Sequence, residues 1–538
     1  MLAMTAGFAT ALAPTASATD SITYLDGMAK VGDVAAGGGR VFVSGDNQIV
    51  VADPRGTLTG AITSLSGASG LAMTPDGSRL YAALSGAKQV AEIDTATLTV
   101  IRRVDLAEYS CPSNLSLLGN RLWVGYGCAN QRNGGVLGLD LSATTPEPVR
   151  IVSNMYDTPL VAAAGSTLVI GETGHNACNL MVYDVSVTPA ALRGVIDGFD
   201  SGVDNLNDLA ITPDGSMVIS AANFPKRFDG WDTTSLTRVH AYGEVPAPGD
   251  PGTSVAVTIS PDGAHVAASR TSGIPLALYD TTTTTQTYKA DGAGGELLPG
   301  TLAFSGHDVF GVAREFTSAG RLRLWRAEGT TLPASTLALT PPSAGTALKP
   351  LTVTGKLTLS DGSASGAQPL VVTRKLPDGT SATVAGVTTA ADGTFTMTDT
   401  PPVSGVITYD VLWEGSSDFR WSKASTTVTV AQHPLSLTLS GPVTGHTDKQ
   451  LQISGTLDAG DQAPPQDVLF GVLRTVSNSK GTVTTVVGTL TVDGDGAFGF
   501  TDTPTESGEY TYKVYGGGNA VFAYTWAQHN VTVRGKAG

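Results

Sequence analysis

The chain predicts an all-β protein: a seven-bladed β-propeller over residues 19–330, then two immunoglobulin-like β-sandwiches over 334–431 and 434–534. Three observations predict it. A short strand ending in an acidic residue returns at Asp53, Asp94, Asp140, Asp184, Asp232 and Asp280, with Arg326 in the seventh slot, at intervals of 41, 46, 44, 48, 48 and 46 residues. A strand-built period of about 40–50 residues is that of a four-stranded propeller blade. That rhythm stops after Thr330-Thr-Leu-Pro333, and a second repeat begins. The composition agrees: 65 glycines and only 15% charged residues suit turn-rich β-structure.

Each blade is expected to run strand a, turn, strand b, loop, strand c, turn, strand d. The clearest copy reads Gly70-Leu-Ala-Met-Thr-Pro-Asp-Gly77, Ser78-Arg-Leu-Tyr-Ala-Ala83, Gln89-Val-Ala-Glu-Ile-Asp94 and Leu98-Thr-Val-Ile-Arg-Arg-Val104. Pro-Asp-Gly recurs at 213–215 and 261–263 between the same two strands, where Pro presets φ and Gly accepts φ > 0. The recurring Asp stands where strand c meets the c–d turn, and an Asx-turn is its expected role. The copies divide the region into 31–67, 68–107, 108–153, 157–198, 204–244, 252–292 and 298–330. The seventh offers three strands, and the spare strand Ser21-Ile-Thr-Tyr-Leu25 is expected to complete it, removing the exposed edges. Six or eight blades are the alternatives.

The stretches Arg79-Leu-Tyr-Ala-Ala83 and Val90-Ala-Glu-Ile-Asp-Thr-Ala-Thr97 resemble the secreted bacterial YVTN-type propeller repeat, a relative of lactonase-like propellers, with weaker copies in blades 5 and 6. The resemblance implies the fold over about 300 residues. It implies little about activity, because propellers serve as enzymes, cofactor holders and docking platforms alike.

In the second repeat, Val387-Thr-Thr-Ala-Ala-Asp-Gly-Thr-Phe-Thr-Met-Thr-Asp-Thr-Pro401 matches Leu490-Thr-Val-Asp-Gly-Asp-Gly-Ala-Phe-Gly-Phe-Thr-Asp-Thr-Pro504 at an offset of 103. Modules of about 100 residues with short alternating strands read as sandwiches. Phe395 and Phe498 are expected to face inward. These modules resemble bacterial Ig-like repeats, and the short linker Ala431-Gln-His-Pro434 favours a semi-rigid rod.

A net charge of −15 argues against nucleic acid and anionic membrane surfaces. An apolar run from Leu2 to Leu12, then Pro14 and Ala16-Ser17-Ala18, reads as a signal peptide over 1–18, although no Lys or Arg precedes it. A secreted, extracellular, monomeric protein without a transmembrane segment is expected. Cys111 and Cys128 lie equidistant from the turn candidate Gly119-Asn120, so counting outward sets them opposite each other on a hairpin, about 4.5 Å apart at Cα. A Cys111–Cys128 disulfide is expected, which suits export. Pairing of Cys128 with Cys178, or three reduced thiols, are the alternatives.

No catalytic constellation stands out, and no cofactor or metal is assigned. The b–c and d–a loops share one face of a propeller, and those of blades 3–5 are longest. Glu172, His175, Asp204 and Asn205 are candidate ligand-binding residues there. So are Phe224, Arg227 and Trp231 from Asn223-Phe-Pro-Lys-Arg-Phe-Asp-Gly-Trp231, a combination of aromatics and cations suited to a sugar or peptide. The expected function is non-catalytic binding or adhesion toward a protein or glycan at the cell surface. A lactonase-like hydrolase, metal-assisted through Glu172, Asp204 and Asn205, is the alternative.

Overall fold

The structure, a computed structural model, describes residues 20–536 apart from 225, 245–251, 272–274, 291–293 and 318–319. The expected signal peptide lies outside the described residues. Contacts divide the chain into two compact units, Met1–Leu332 and Pro333–Gly538.

The first unit holds seven four-stranded antiparallel sheets. Blade 1 is built from Val34–Gly37, Arg40–Gly45, Gln48–Ala52 and Leu58–Thr63. Blades 2 to 6 repeat this order, their first strands being Ala68–Met73, Asn114–Leu118, Leu160–Ala164, Asp204–Ile211 and Ser254–Ile259. Blade 7 uses Gly295–Ser305, Asp308–Glu315 and Leu322–Ala327, and takes its outermost strand from the other end of the chain. Ser21–Tyr24 runs antiparallel to Leu322–Ala327, with Ser21 opposite Arg326 and Tyr24 opposite Arg323. Each first strand touches the first strand of the next blade, and that of blade 7 touches that of blade 1, so the ring is closed.

The reason these strands stack face to face is visible in blade 1. Val41 and Val43 pack with Phe310, Val312 and Leu324 of blade 7, whereas Phe42, the residue between them, packs with Leu71, Leu80 and Ala82 of blade 2. Alternate side chains of a strand leave on opposite faces, so both faces of the middle strands are buried and the strand reads as a continuous apolar run. Each such Val or Phe contributes about 1.5–3 kcal/mol.

The c–d turns carry the recurring aspartates in the expected role. The carboxylates of Asp53, Asp94, Asp140, Asp184, Asp232 and Asp280 accept the N–H two residues on, at 2.9–3.1 Å. Hydrogen bonding from Thr97 and from Ser142 holds the Asp94 and Asp140 carboxyls below the usual range. Arg326 does something else in the seventh slot, bridging Asp308 and Glu328 at 2.8 Å each. In the Pro-Asp-Gly turns, Asp76 and Asp214 accept from Thr74 and Thr212 hydroxyls at 2.6 Å, and Gly77 and Gly215 adopt φ of 69° and 75°.

The second unit contains two sandwiches of the same topology. In the first, Ser335–Thr340, Leu351–Leu359 and Thr394–Asp399 form a three-stranded sheet. Gly345–Thr346, Ser422–Ala431, Gly405–Trp413, Pro369–Lys375 and Ser381–Thr388 form a five-stranded one, in that order. Val353, Leu357 and Phe395 from one sheet meet Ile407, Tyr409 and Trp413 from the other in a shared core. The second copy uses Ser436–Ser440, Leu451–Asp458 and Ala497–Asp502 against a five-stranded sheet ordered Thr444–His446, Thr525–Arg534, Gly508–Gly516, Phe470–Asn478 and Gly481–Leu490. Phe395 is buried and Phe498 partly buried against its core.

The Asp of the repeated Thr-Asp-Thr-Pro has a role the sequence reading missed. Asp399 accepts from Arg374 at 2.8 Å and from the Tyr409 hydroxyl at 2.7 Å, and Asp502 likewise from Arg474 at 2.9 Å and Tyr512 at 2.6 Å. Burial, then the carboxylate beside it, pushes each phenol up. Between the sandwiches, His433 is buried, with Nδ1 3.1 Å from the Ala347 carbonyl and Nε2 2.8 Å from that of Ala459.

Cys111 and Cys128 form a disulfide, with Cα atoms 5.3 Å apart, and Cys178 is free and buried. The register Asn114↔Gly125 through Leu118↔Arg121 confirms the counting that placed them opposite. Replacing both with Ser should lower stability by about 3 kcal/mol, from loss of a constraint 17 residues apart in sequence; denaturant unfolding without reductant measures it. His433→Ala should cost about 1–3 kcal/mol by removing a buried ring that donates to one of the Ala347 and Ala459 carbonyls, read as a fall in the urea midpoint of the Pro333–Gly538 transition.

Candidate functional site

The b–c and d–a loops of blades 3, 4 and 5 bring together most of the residues singled out from sequence. Glu172 follows strand b of blade 4, and its Oε2 accepts the Asn179 N–H at 3.1 Å and lies 3.8 Å from Nε2 of His175. Nδ1 of His175 lies 2.7 Å from the Asn176 carbonyl, which only accepts, so Nδ1 carries a proton. Asn205, at the start of blade 5, donates to Asn176 at 3.2 Å and to Asp204 at 3.0 Å. Asp204 stands opposite Phe224 in the a–b register, and Phe224 is 59% exposed. Four polar candidates and residues beside them therefore form one network across two blades.

Arg227 and Trp231 do not join an exposed patch. Residues 228–232 form strand c of blade 5 and not a loop, so Phe228 and Trp231 are buried. The Trp231 indole donates to Ser220 Oγ at 3.0 Å. Arg227 pairs at 2.8 Å with the buried Asp229. Only Phe224 among that segment's aromatics reaches solvent.

Two residues that the sequence reading passed over complete the face. The Arg132 guanidinium sits 5.5 Å from the Tyr156 ring centre, and His175 meets the same ring edge-on at 5.9 Å. The Tyr156 hydroxyl donates to Asn130 at 3.2 Å. A cation over a tyrosine face and an imidazole perpendicular to it make a partly open aromatic and cationic cluster. Phe199, on the one-turn helix Gly198–Ser201, is 86% exposed nearby in sequence to the same loops.

The backbone of this face is unusual. Cys111, Asn130, Arg132, Asn154, Ala177, Asn205 and Lys226 all have positive φ, whereas the c–d turns contribute Leu98, Leu236 and Thr284. Left-handed conformations of non-glycine residues cost energy and persist where surroundings over-determine them. Among these, Cys111 is tied by the disulfide and Asn130 by the bond from its N–H to Asp157, beside the bond from Cys128 N–H to Asn133 at 2.9 Å.

The second feature is the central channel. A cavity of about 300 Å³ is lined by Asp33, just before the first strand of blade 1, and by first-strand residues including Asn114, Ser116, Asp208 and Thr258. Asp33 accepts the N–H of Val34 at 2.7 Å and that of Leu71 in blade 2 at 2.8 Å. Asp208 accepts Leu209 at 2.8 Å and Val257 in blade 6 at 2.8 Å. Each lies one residue before the position paired with the fourth residue of strand b, Val34↔Val43 and Leu209↔Ser220, so they are the same position of two blades. Burial in the narrow channel pushes both carboxyls up to about 7, against the pull of their N–H donors. The pattern Asp-Val-Ala at 33–35 and Asp-Leu-Ala at 208–210 was the available signal. Among the described residues, no three His, Cys, Asp or Glu side chains are grouped to hold a metal ion.

No family model and no curated protein matches the chain. Solved structures resemble it at the level of fold. The β-propeller domain of Cps50 (Swd1) from Myceliophteria thermophila is 13% identical with a TM-score of 0.43, spanning 57% of this chain and 99% of that one. Hydrazine synthase of Kuenenia stuttgartiensis is 15% identical with a TM-score of 0.42, over 57% and 99%. Hsv2 of Kluyveromyces lactis is 10% identical with a TM-score of 0.38, over 55% and 98%.

The channel carboxyls set a pH dependence whose sign follows from their raised values. A carboxyl raised from 3.8 in the unfolded chain to about 7 in the fold contributes stability that is full below about 4 and lost as pH rises through 7. The double variant Asp33→Asn/Asp208→Asn lacks that loss. Its melting temperature relative to the parent should therefore rise steadily between pH 4 and pH 8; a difference that stays flat contradicts the assignment.

Proposed function

We propose that the chain is an exported, non-catalytic binding protein. Its propeller offers the b–c face of blades 3–5 to a protein or glycan at the cell surface, and two Ig-like sandwiches act as spacer or docking units. The single observation that carries this reading is the division of labour on that face. Glu172, Asn176, Asp204 and Asn205 spend hydrogen bonds on their own loops and on one another. What reaches solvent is the exposed Arg132, beside the half-buried Tyr156 and His175, and the exposed ring of Phe224. Rigid aromatic and guanidinium surfaces on a pre-set backbone are the usual anchors of a docking site.

A lactonase-like hydrolase is the competing reading, and the Glu172–His175 contact at 3.8 Å is what favours it. The resemblance of blade 2 to YVTN-type repeats fits either reading and supports export.

Capture of immobilised cell-wall glycans and surface-protein extracts by the full chain tests the proposal. Arg132→Ala and Tyr156→Ala should each weaken capture at least about tenfold, and Ser235→Ala in a c–d turn should not. Turnover of lactones or esters that disappears in Glu172→Ala and Asp204→Ala overturns it.

A further inference from the structure

Sheet edges expose unpaired N–H and C=O groups, and folded proteins blunt them with charge, proline, bulges or short length. The propeller does so on its outer strands. Those of blades 2 to 6 carry Arg102 and Arg103, Arg150, Arg193, Arg238 and Lys289. The outer strand of blade 1, Leu58–Thr63, contains Gly60 and meets its neighbour at a register shift, and that of blade 7, Ser21–Tyr24, has four residues. In the first sandwich the edge strand Ser381–Thr388 is broken by Gly386 at φ 72°.

The corresponding edge of the second sandwich has its register shift only at the far end, between Val486 and Gly488, and residues 481–486 carry none of these devices. Gly481–Leu490 is ten residues long, Gly-Thr-Val-Thr-Thr-Val-Val-Gly-Thr-Leu, without a charge or a proline. Its glycines fall at 481 and 488, leaving six consecutive β-branched residues between them. Residues 481–486 are all exposed, Val483 at 64% and Val486 at 66%, so neither face of the strand is covered there. It ends its sheet, with Phe470–Asn478 on one side and no strand on the other among the described residues.

We propose that this edge is a self-association surface: it pairs antiparallel with the same strand of a second copy of the chain. The argument for a second copy is self-complementarity. Asn478 pairs with Gly481 across a two-residue turn, which makes them a hydrogen-bonded pair. Backbone groups of 481, 483 and 485 therefore point to the neighbouring strand, and those of 482, 484 and 486 point outward. Two outward-pointing sets mate only when an even position opposes an even one. A two-fold axis through Thr484 satisfies this, placing Thr484 opposite its own copy, Thr482 opposite Val486 and Val483 opposite Thr485. Every opposed pair is β-branched, the class that packs best across strands. Lys480, already paired with Glu506 at 3.0 Å, falls opposite the uncharged stretch after Val486, where the strand bulges, so no like charges meet despite a net charge of −15. The two five-stranded sheets become one continuous sheet, and an isologous contact of this kind closes at a dimer. This departs from the monomer expected from sequence and is independent of what the propeller binds.

Sedimentation equilibrium of the full chain tests it. The parent should show a monomer–dimer equilibrium. Thr484→Lys and Thr484→Glu should each raise the dimer dissociation constant at least about tenfold, because each places like charges on the axis. Mixing the two variants should restore a dimer, which only folded chains paired through this position give. Thr383→Lys, on the edge of the first sandwich, should leave the equilibrium unchanged. A parent that stays monomeric up to its solubility limit overturns the proposal, as does a Thr484→Lys dimer as tight as the parent's. A mixture that stays monomeric overturns it too.

Discussion

The hydrophobic core of the first unit lies between blades, not within them, and everything else follows from that. A blade buries one face on each neighbour, so no blade is finished until both are present. Leu25, Met28, Val34 and Val43 share a cluster with Phe310 and Leu324, which puts residues from the two ends of the propeller region into a single core. An open arc of seven sheets would leave the faces of blades 1 and 7 bare. The strand Ser21–Tyr24 settles the matter by making the last sheet from both ends at once, and Tyr24 adds a bond to Glu315 at 2.9 Å.

Closure also explains why the two faces of the ring differ. The c–d turns have one design, an aspartate receiving the N–H two residues on, repeated until Arg326 replaces it. The opposite face has loops of unequal length, a disulfide, and most of the propeller's left-handed non-glycine residues. Strain collected on one face, and held by bonds made within that face, marks it as the place where the scaffold has been adapted.

Periodicity made the repeat legible, because strand c ends at a turn whose chemistry demands Asp. Register counting from Gly119-Asn120 made the disulfide legible, since hairpin geometry is local. The site was legible only in part. Glu172 and His175 lie in a loop, as their polar surroundings implied, whereas Asp204 and Asn205 open the first strand of blade 5. Trp231 and Arg227 misled because Phe228–Asp232 is a strand buried on both faces, where aromatics next to cations mean core and ion pair. Asp33 and Asp208 were passed over for a different reason. Their partners are backbone N–H groups of the following blade, Leu71 and Val257, and a backbone donor leaves no mark in a sequence. Tyr156 and Arg132 met across a loop whose path no local pattern specifies.

The pairing of Ser21 with Arg326 spans 305 positions, 326 minus 21. Contacts so distant along the chain form late, since the intervening loop must be gathered before they return anything. As the polypeptide leaves the ribosome, six sheets can assemble while the first strand waits without a mate. The ring is latched only after Ala327 has emerged, so the order of synthesis makes closure the last step of the propeller and sets it before either sandwich is complete.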